Sequence, residues 1–156
     1  GSSCTSHSGN ATGSFATVDQ SAGTIASIYQ FGSNHQASVT QTYASGDADA
    51  TVVQDGVSHS ATVRQSFKSS TTIRQVGTGH SAISDQNEHS TTTLEQTGFL
   101  NEATILQSAS LITANIVQHG TNPVSGNSAS VTQTLYGVSA TVNQNGSGLN
   151  TVITQR

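Results

Sequence analysis

Thirteen five-residue segments ending in glutamine recur along this chain of 156 residues, and their phase constrains the fold more than any other feature. The glutamines are Gln20, Gln30, Gln41, Gln54, Gln65, Gln75, Gln86, Gln96, Gln107, Gln118, Gln133, Gln144 and Gln155. They lie 10 or 11 residues apart, except for two steps of 13 and 15 that hold extra loop residues around 44–47 and 121–126. Four residues before each glutamine stands Ala or Thr. Two before stands an aliphatic residue: Val18, Ile28, Val39, Val52, Val63, Ile73, Leu94, Ile105, Ile116, Val131, Val142 and Ile153, with Ser84 the exception. Three before is Thr or Ser in ten of the thirteen. A period of two is that of a strand with two unlike faces. Ala, the aliphatic residue and Gln share one face; Thr or Ser and a variable residue share the other.

A slower rhythm overlies the first. Glycine follows every other glutamine by two residues, at Gly32, Gly56, Gly77, Gly98, Gly120 and Gly146. The true unit is therefore two strands, about 22 residues, with one turn that uses Gly and one that does not. Glycine permits the positive φ that a tight reversal between sheets needs. One such unit cannot bury its apolar face alone, whereas stacked units can. The predicted fold is all-β: a cross-β solenoid of strand-turn-strand rungs, about 6.5–7 of them, rising about 4.8 Å each in two facing parallel, in-register sheets. Residues 14–156 form this solenoid as one domain. Residues 1–13 are an N-terminal segment that reads as a degenerate half-rung, with Asn10 in the glutamine place and Ser8, Ser6 and Cys4 before it.

A buried Gln is costly unless its amide is paired. In a stack, each carboxamide can donate to the copy on one side and accept from the copy on the other, which makes the glutamines amide ladders. The variable residue faces solvent, and there Arg64 is followed one rung later by Asp85, and Arg74 by Glu95. Both are expected surface ion pairs.

Composition agrees with pairing rather than with an ordinary core. Hydrophobic residues make up 32%, charged residues 8%, and the formal net charge is −4. Disordered chains usually carry more charge than this. With only four Lys plus Arg, a phosphate-binding surface is not expected, so nucleic acid is excluded as a partner. No apolar run reaches the length of a membrane helix, and no signal peptide is visible, so a mature form is expected. Cys4 is the single cysteine and can form neither an internal disulfide nor a Cys-rich zinc site.

The spacing resembles that of curlin repeats, Ser-x5-Gln-x4-Asn-x5-Gln. Ser90, Gln96, Asn101 and Gln107 match it in full. Ser69, Gln75, His80 and Gln86 match with His for Asn. Thr24-Gln30-His35-Gln41 and Ala48-Gln54-His59-Gln65 keep the spacing with Ser and Asn replaced. Ile112-Gln118 reaches Asn127-Gln133 across an insertion, and Val138-Gln144-Leu149-Gln155 keeps only the glutamines. The resemblance implies an extracellular, cell-surface amyloid fibre subunit of bacterial biofilm matrix, exported through an outer-membrane secretion pore and started by a nucleator.

The last strand, 149–155, carries the repeat in full, and no helical segment is expected to act as a lid. Leu149, Thr151, Ile153 and Gln155 are therefore the expected polymerisation end, onto which another copy stacks head to tail. The partner is the chain itself; no cofactor, metal or membrane insertion is expected. An alternative is a soluble solenoid that binds ice or a surface ligand through outward hydroxyls such as Thr51, Thr72 and Thr93 on one sheet and Thr17, Thr62 and Thr104 on the other. His35, His59 and His80 share one position on consecutive rungs and read as a neutral polar ladder in the place of Asn. Protonation below their typical pKa of about 6.5 should weaken that region. No Gly-x-Ser-x-Gly elbow, phosphate loop or His-Glu-x-x-His occurs, so no enzyme is expected.

Overall fold

The computed structural model describes residues 3–21, 23–42 and 47–156, with side chains from residue 11 onward. Among the described residues fourteen strands, numbered in chain order, alternate between two parallel sheets of seven. The first sheet stacks β1 (Ser3–Thr12), β3 (Thr24–Ser33), β5 (Ala48–Val57), β7 (Ser70–Thr78), β9 (Thr91–Phe99), β11 (Thr113–Gly120) and β13 (Ser139–Gly146). The second stacks β2 (Phe15–Gln20), β4 (Gln36–Thr42), β6 (Ser60–Ser66), β8 (Ser81–Gln86), β10 (Glu102–Gln107), β12 (Ser128–Gln133) and β14 (Asn150–Gln155). Each rung is one strand from each sheet, so the molecule is an all-β solenoid of two-strand turns.

Register follows the repeat. Gln54 pairs with Gln75 and Gln75 with Gln96, carrying Val52, Ile73 and Leu94 into one line two residues away. The interior holds three columns per sheet, of Ala or Thr, aliphatic residue and Gln, and the rungs between the two ends bury them almost wholly. Val18 and Ile153, on the two outer rungs, are only partly buried. The core is thin because each rung contributes one branched aliphatic residue per strand; in-register stacking compensates by leaving each of them covered above and below.

Two expectations need correction here. In β1 the register places Ser8, not Asn10, against Gln30, with Ser6 against Ile28 and Cys4 against Ala26. Without a glutamine in β1 there was nothing to align on, and the irregularity between Gly9 and Thr12 shifts the pairing by one residue, from Gly9 against Phe31 to Thr12 against Ser33. The six glycines, in turn, lie inside strands, still in the ladder, rather than at the reversal. The chain turns two residues later, where Asn34, Ser58, Gly79 and Leu100 adopt φ of 57°, 59°, 71° and 51°. The insertion at 44–47 lies mostly outside the described residues. That at 121–126 is closed by an antiparallel bridge between Asn122 and Ser125, and Val124 projects from it into solvent.

Candidate functional site: side-chain columns and outer rungs

The glutamine columns are continuous ladders. In the first sheet Nε2 of Gln30, Gln54, Gln75 and Gln96 each donates to Oε1 of the next glutamine at 2.9 Å, and Gln118 donates to Gln144 at 2.7 Å. In the second sheet Gln20, Gln41, Gln65, Gln86, Gln107 and Gln133 donate in turn, ending on Gln155, at 2.7–3.0 Å.

Each amide from Gln30 onward also makes a bond that period-two reasoning did not reveal. Its second N–H crosses the interior to a backbone carbonyl at the start of a strand in the facing sheet: Gln54 to Gln36, Gln75 to Ser60, Gln96 to Ser81, Gln118 to Glu102, all at 3.0 Å. Since a carbonyl only accepts, this bond fixes which end of the amide is nitrogen. Every Nε2 therefore points toward the C-terminal rungs and every Oε1 toward the N-terminal ones. The ladders have a direction.

Where Thr replaces Ala, its hydroxyl joins the network. Gln86 donates to Thr92 Oγ1 at 2.9 Å and Thr92 donates to Gln107 at 3.0 Å. Thr71 stands in the same relation to Gln65 and Gln86. The one irregular inward residue is less well served. Ser84 is fully buried between Val63 and Ile105, and its hydroxyl is the only buried side-chain polar atom without a partner among the described residues. The neighbouring Ile83 faces outward and is 40% exposed, so Ile and Ser have exchanged places relative to the repeat.

At one corner of the solenoid the histidines form a second polar column. The rings of His35 and His59 stack with centroids 5.0 Å apart, those of His59 and His80 at 4.9 Å. Nε2–H of each donates to the carbonyl four residues earlier, of Phe31, Asp55 and Val76. Nδ1 of each accepts the backbone N–H of the next rung. Asn101 continues the column with the same two bonds, Nδ2–H to the Thr97 carbonyl and Oδ1 from the Asn127 N–H. A neutral imidazole thus substitutes for the Asn amide donor for donor and acceptor for acceptor. Burial drives the His59 pKa down to about 4, with the charges of His80 and His35 acting in the same direction, and burial lowers that of His80. Both ring nitrogens are occupied, which leaves none for a metal. No group of three or more His, Cys, Asp or Glu among the described residues could hold one.

The opposite corner is held by buried hydroxyls. The single Oγ–H of Ser90 lies within hydrogen-bond reach of the carbonyls of Glu88 and Ala109, and that of Ser69 within reach of those of Ser66, Phe67 and Asn87. These are the serines of the two best-matched repeats. Their role is to satisfy turn carbonyls that stacking would otherwise bury unpaired.

Outside, Arg74 and Glu95 form an ion pair at 2.9 Å, both half exposed. Arg64 and Asp85 are register partners but form no ion pair; Asp is one methylene shorter than Glu and does not reach across the rung. The outward hydroxyl row of the second sheet, Thr17, Ser38, Thr62 and Thr104, is interrupted by Ile83. No helix here is long and apolar enough to cross a membrane.

The C-terminal outer rung repeats the interior pattern half-exposed. Thr151, Ile153 and Gln155 of β14 point inward but are only partly covered, and Leu149 is 41% exposed. Gln144 Nε2 turns to the Ser128 carbonyl and Thr151 Oγ1, and Gln155 Nε2 to the Ser139 carbonyl.

Stacked rungs and directional amide ladders define a parallel two-sheet β-solenoid. Residues 89–120, which run through β9, β10 and β11, match the family model of the curlin associated repeat. That repeat is a structural element rather than an enzymatic one. Neither the curated proteins nor the solved structures contain a match to the chain.

Proposed function

We propose that this chain is the structural subunit of an extracellular, curli-type functional amyloid fibre, in which copies stack head to tail by their outer rungs. The observation that carries the reading is the direction of the ladders. The columns keep one register out to β14, so the face it presents copies the face that each interior rung presents to the next. Donors point toward that face, and on the opposite one the second sheet turns the Oε1 end of Gln20 outward. Two copies therefore match head to tail, whereas two C-terminal faces would set donor against donor. Regular strand edges that keep the register of the interior favour such addition. Biofilm matrix and adhesion, a secretion pore and a nucleating partner follow from the curlin likeness and belong to the same proposal.

The decisive experiment combines fibre diffraction with cross-linking. Fibres of the purified chain should give a meridional reflection near 4.8 Å along the fibre axis. With Cys4→Ser as background, cysteines at Thr17 and Val152 should be joined between copies by a short thiol cross-linker, because continuing the register of Ser130 with Val152 sets the Thr17 of the following copy over Val152. Monomers that neither assemble nor cross-link would refute the proposal.

A further inference from the structure

At the corner preceding each strand of the second sheet, one rung's side chain accepts the next rung's backbone N–H. Ser14 Oγ accepts from His35 at 3.1 Å, His35 Nδ1 from His59 at 3.4 Å, and His59 Nδ1 from His80 at 3.3 Å. The series continues with His80 Nδ1 from Asn101 at 3.2 Å, Asn101 Oδ1 from Asn127 at 3.3 Å, and Asn127 Oδ1 from Leu149 at 3.1 Å. Hydroxyl, imidazole and carboxamide all serve the same geometry: acceptor on the N-terminal side, donor on the C-terminal side.

Leu149 occupies the next place in this column and carries no acceptor. In head-to-tail stacking, β2 of a second copy lies on β14, and the Ser14 of that copy lies over Leu149. Its N–H then arrives at the one position in the column where nothing can receive it, and stacking removes the water that could. We infer that Leu149 makes the junction with a second copy of this chain weaker at this corner than any step within a copy, and so sets how fast a fibre sheds subunits. This rests on the head-to-tail reading.

The test is subunit release from preformed fibres of the full chain, transferred into monomer-free buffer at neutral pH. Leu149→Asn and, independently, Leu149→His restore an acceptor; Leu149→Ala removes only the apolar bulk. Both acceptor variants should release subunits about fivefold more slowly than the unsubstituted chain, the factor that one net hydrogen bond supplies, and Leu149→Ala should not. Release by the acceptor variants as fast as that by Leu149→Ala would overturn the inference. The Thr17–Val152 cross-link, run on the same fibres, separates the two failures. If it forms while release is unchanged, only the role of Leu149 falls; if it does not form, head-to-tail stacking falls and this inference with it.

Discussion

The imidazoles of His59 and His80 lie 2° from parallel with centroids 4.9 Å apart, and His59 Nδ1 accepts the N–H of His80 itself. A proton on His59 Nδ1 would turn that acceptor into a donor facing a donor. With its folded pKa near 4 and a free value of about 6.5, His59 takes up its proton first in the unfolded chain. Stability attributable to it is complete above pH about 6.5, falls as pH drops from there toward 4, and levels off below. Denaturation midpoints measured from pH 7 to 4 should follow this course. His59→Asn keeps both bonds without a titrating group and should flatten the profile; an unchanged slope would refute the assignment.

Gly77 has φ +126°, and a Cβ there would lie 2.1 Å from the carbonyl oxygen of Gly98 on the next rung. Neither the backbone angle nor the rung spacing can yield without breaking the ladder. Gly77→Ala should cost about 3 kcal/mol or more. Gly137 is the control: its φ is +72°, but nothing lies within 4 Å of a Cβ. Gly137→Ala should cost only about 1–2 kcal/mol, the left-handed backbone term alone. Thermal unfolding of the two variants side by side distinguishes steric closeness from conformational preference.

That distinction also shows what the sequence could and could not express. A two-residue period with an invariant amide determines which residues stack, because a strand alternates faces and a one-residue slip would turn the core outward. Hence the solenoid, its two parallel sheets and its register from Gln20 to Gln155 were legible. Beyond the amide ladders and the Arg74–Glu95 pair, what lay between rungs was not. Gly77 reads as a turn residue until it is known that Gly98 lies directly against it. His59 reads as one member of a neutral polar ladder, but its tautomer is fixed only once the i−4 carbonyl and the next N–H are seen. The cross-interior bond from Gln96 to the Ser81 carbonyl depends on how the two sheets are offset, which no period within one strand encodes. Arg64 and Asp85 show the reverse case, where register is right and side-chain reach decides the contact.

Ser84 interrupts the aliphatic column between Val63 and Ile105 with a buried hydroxyl that bonds to nothing. Ser84→Val should fill the column and remove the unsatisfied group, for a gain of about 1–2 kcal/mol. Ile83→Thr restores the outward hydroxyl and should change stability by less than about 0.5 kcal/mol. A rise in unfolding temperature for the first and for the pair, with little change for Ile83→Thr alone, is the expected result. Destabilisation by Ser84→Val would mean that the column there is already filled.

Gln96 tests the ladder at the rung that matches the curlin repeat most fully. Its amide accepts from Gln75 and donates both to Gln118 and to the Ser81 carbonyl. Gln96→Leu keeps the volume but leaves the Gln75 N–H, the Gln118 oxygen and the Ser81 carbonyl unpaired, at about 1–3 kcal/mol for each group left unsatisfied. Gln96→Glu keeps one acceptor but loses both donor bonds, and above its carboxyl range it buries a charge between the amide oxygen of Gln118 and the Ser81 carbonyl. It should therefore be worse than Leu at neutral pH and recover partly in acid, where a protonated carboxyl can again donate. Gln155→Leu, on the half-exposed outer rung, removes a pairing with Gln133 that water can partly replace, so its cost to the folded monomer should be smaller. In assembly the order should invert: head-to-tail stacking as proposed would set Gln155 against the next copy and Gln96 not, so Gln155→Leu should slow fibre growth more, per kcal/mol of lost monomer stability, than Gln96→Leu. Growth rates and unfolding midpoints measured on the same preparations would show whether the outer rung acts as the docking face.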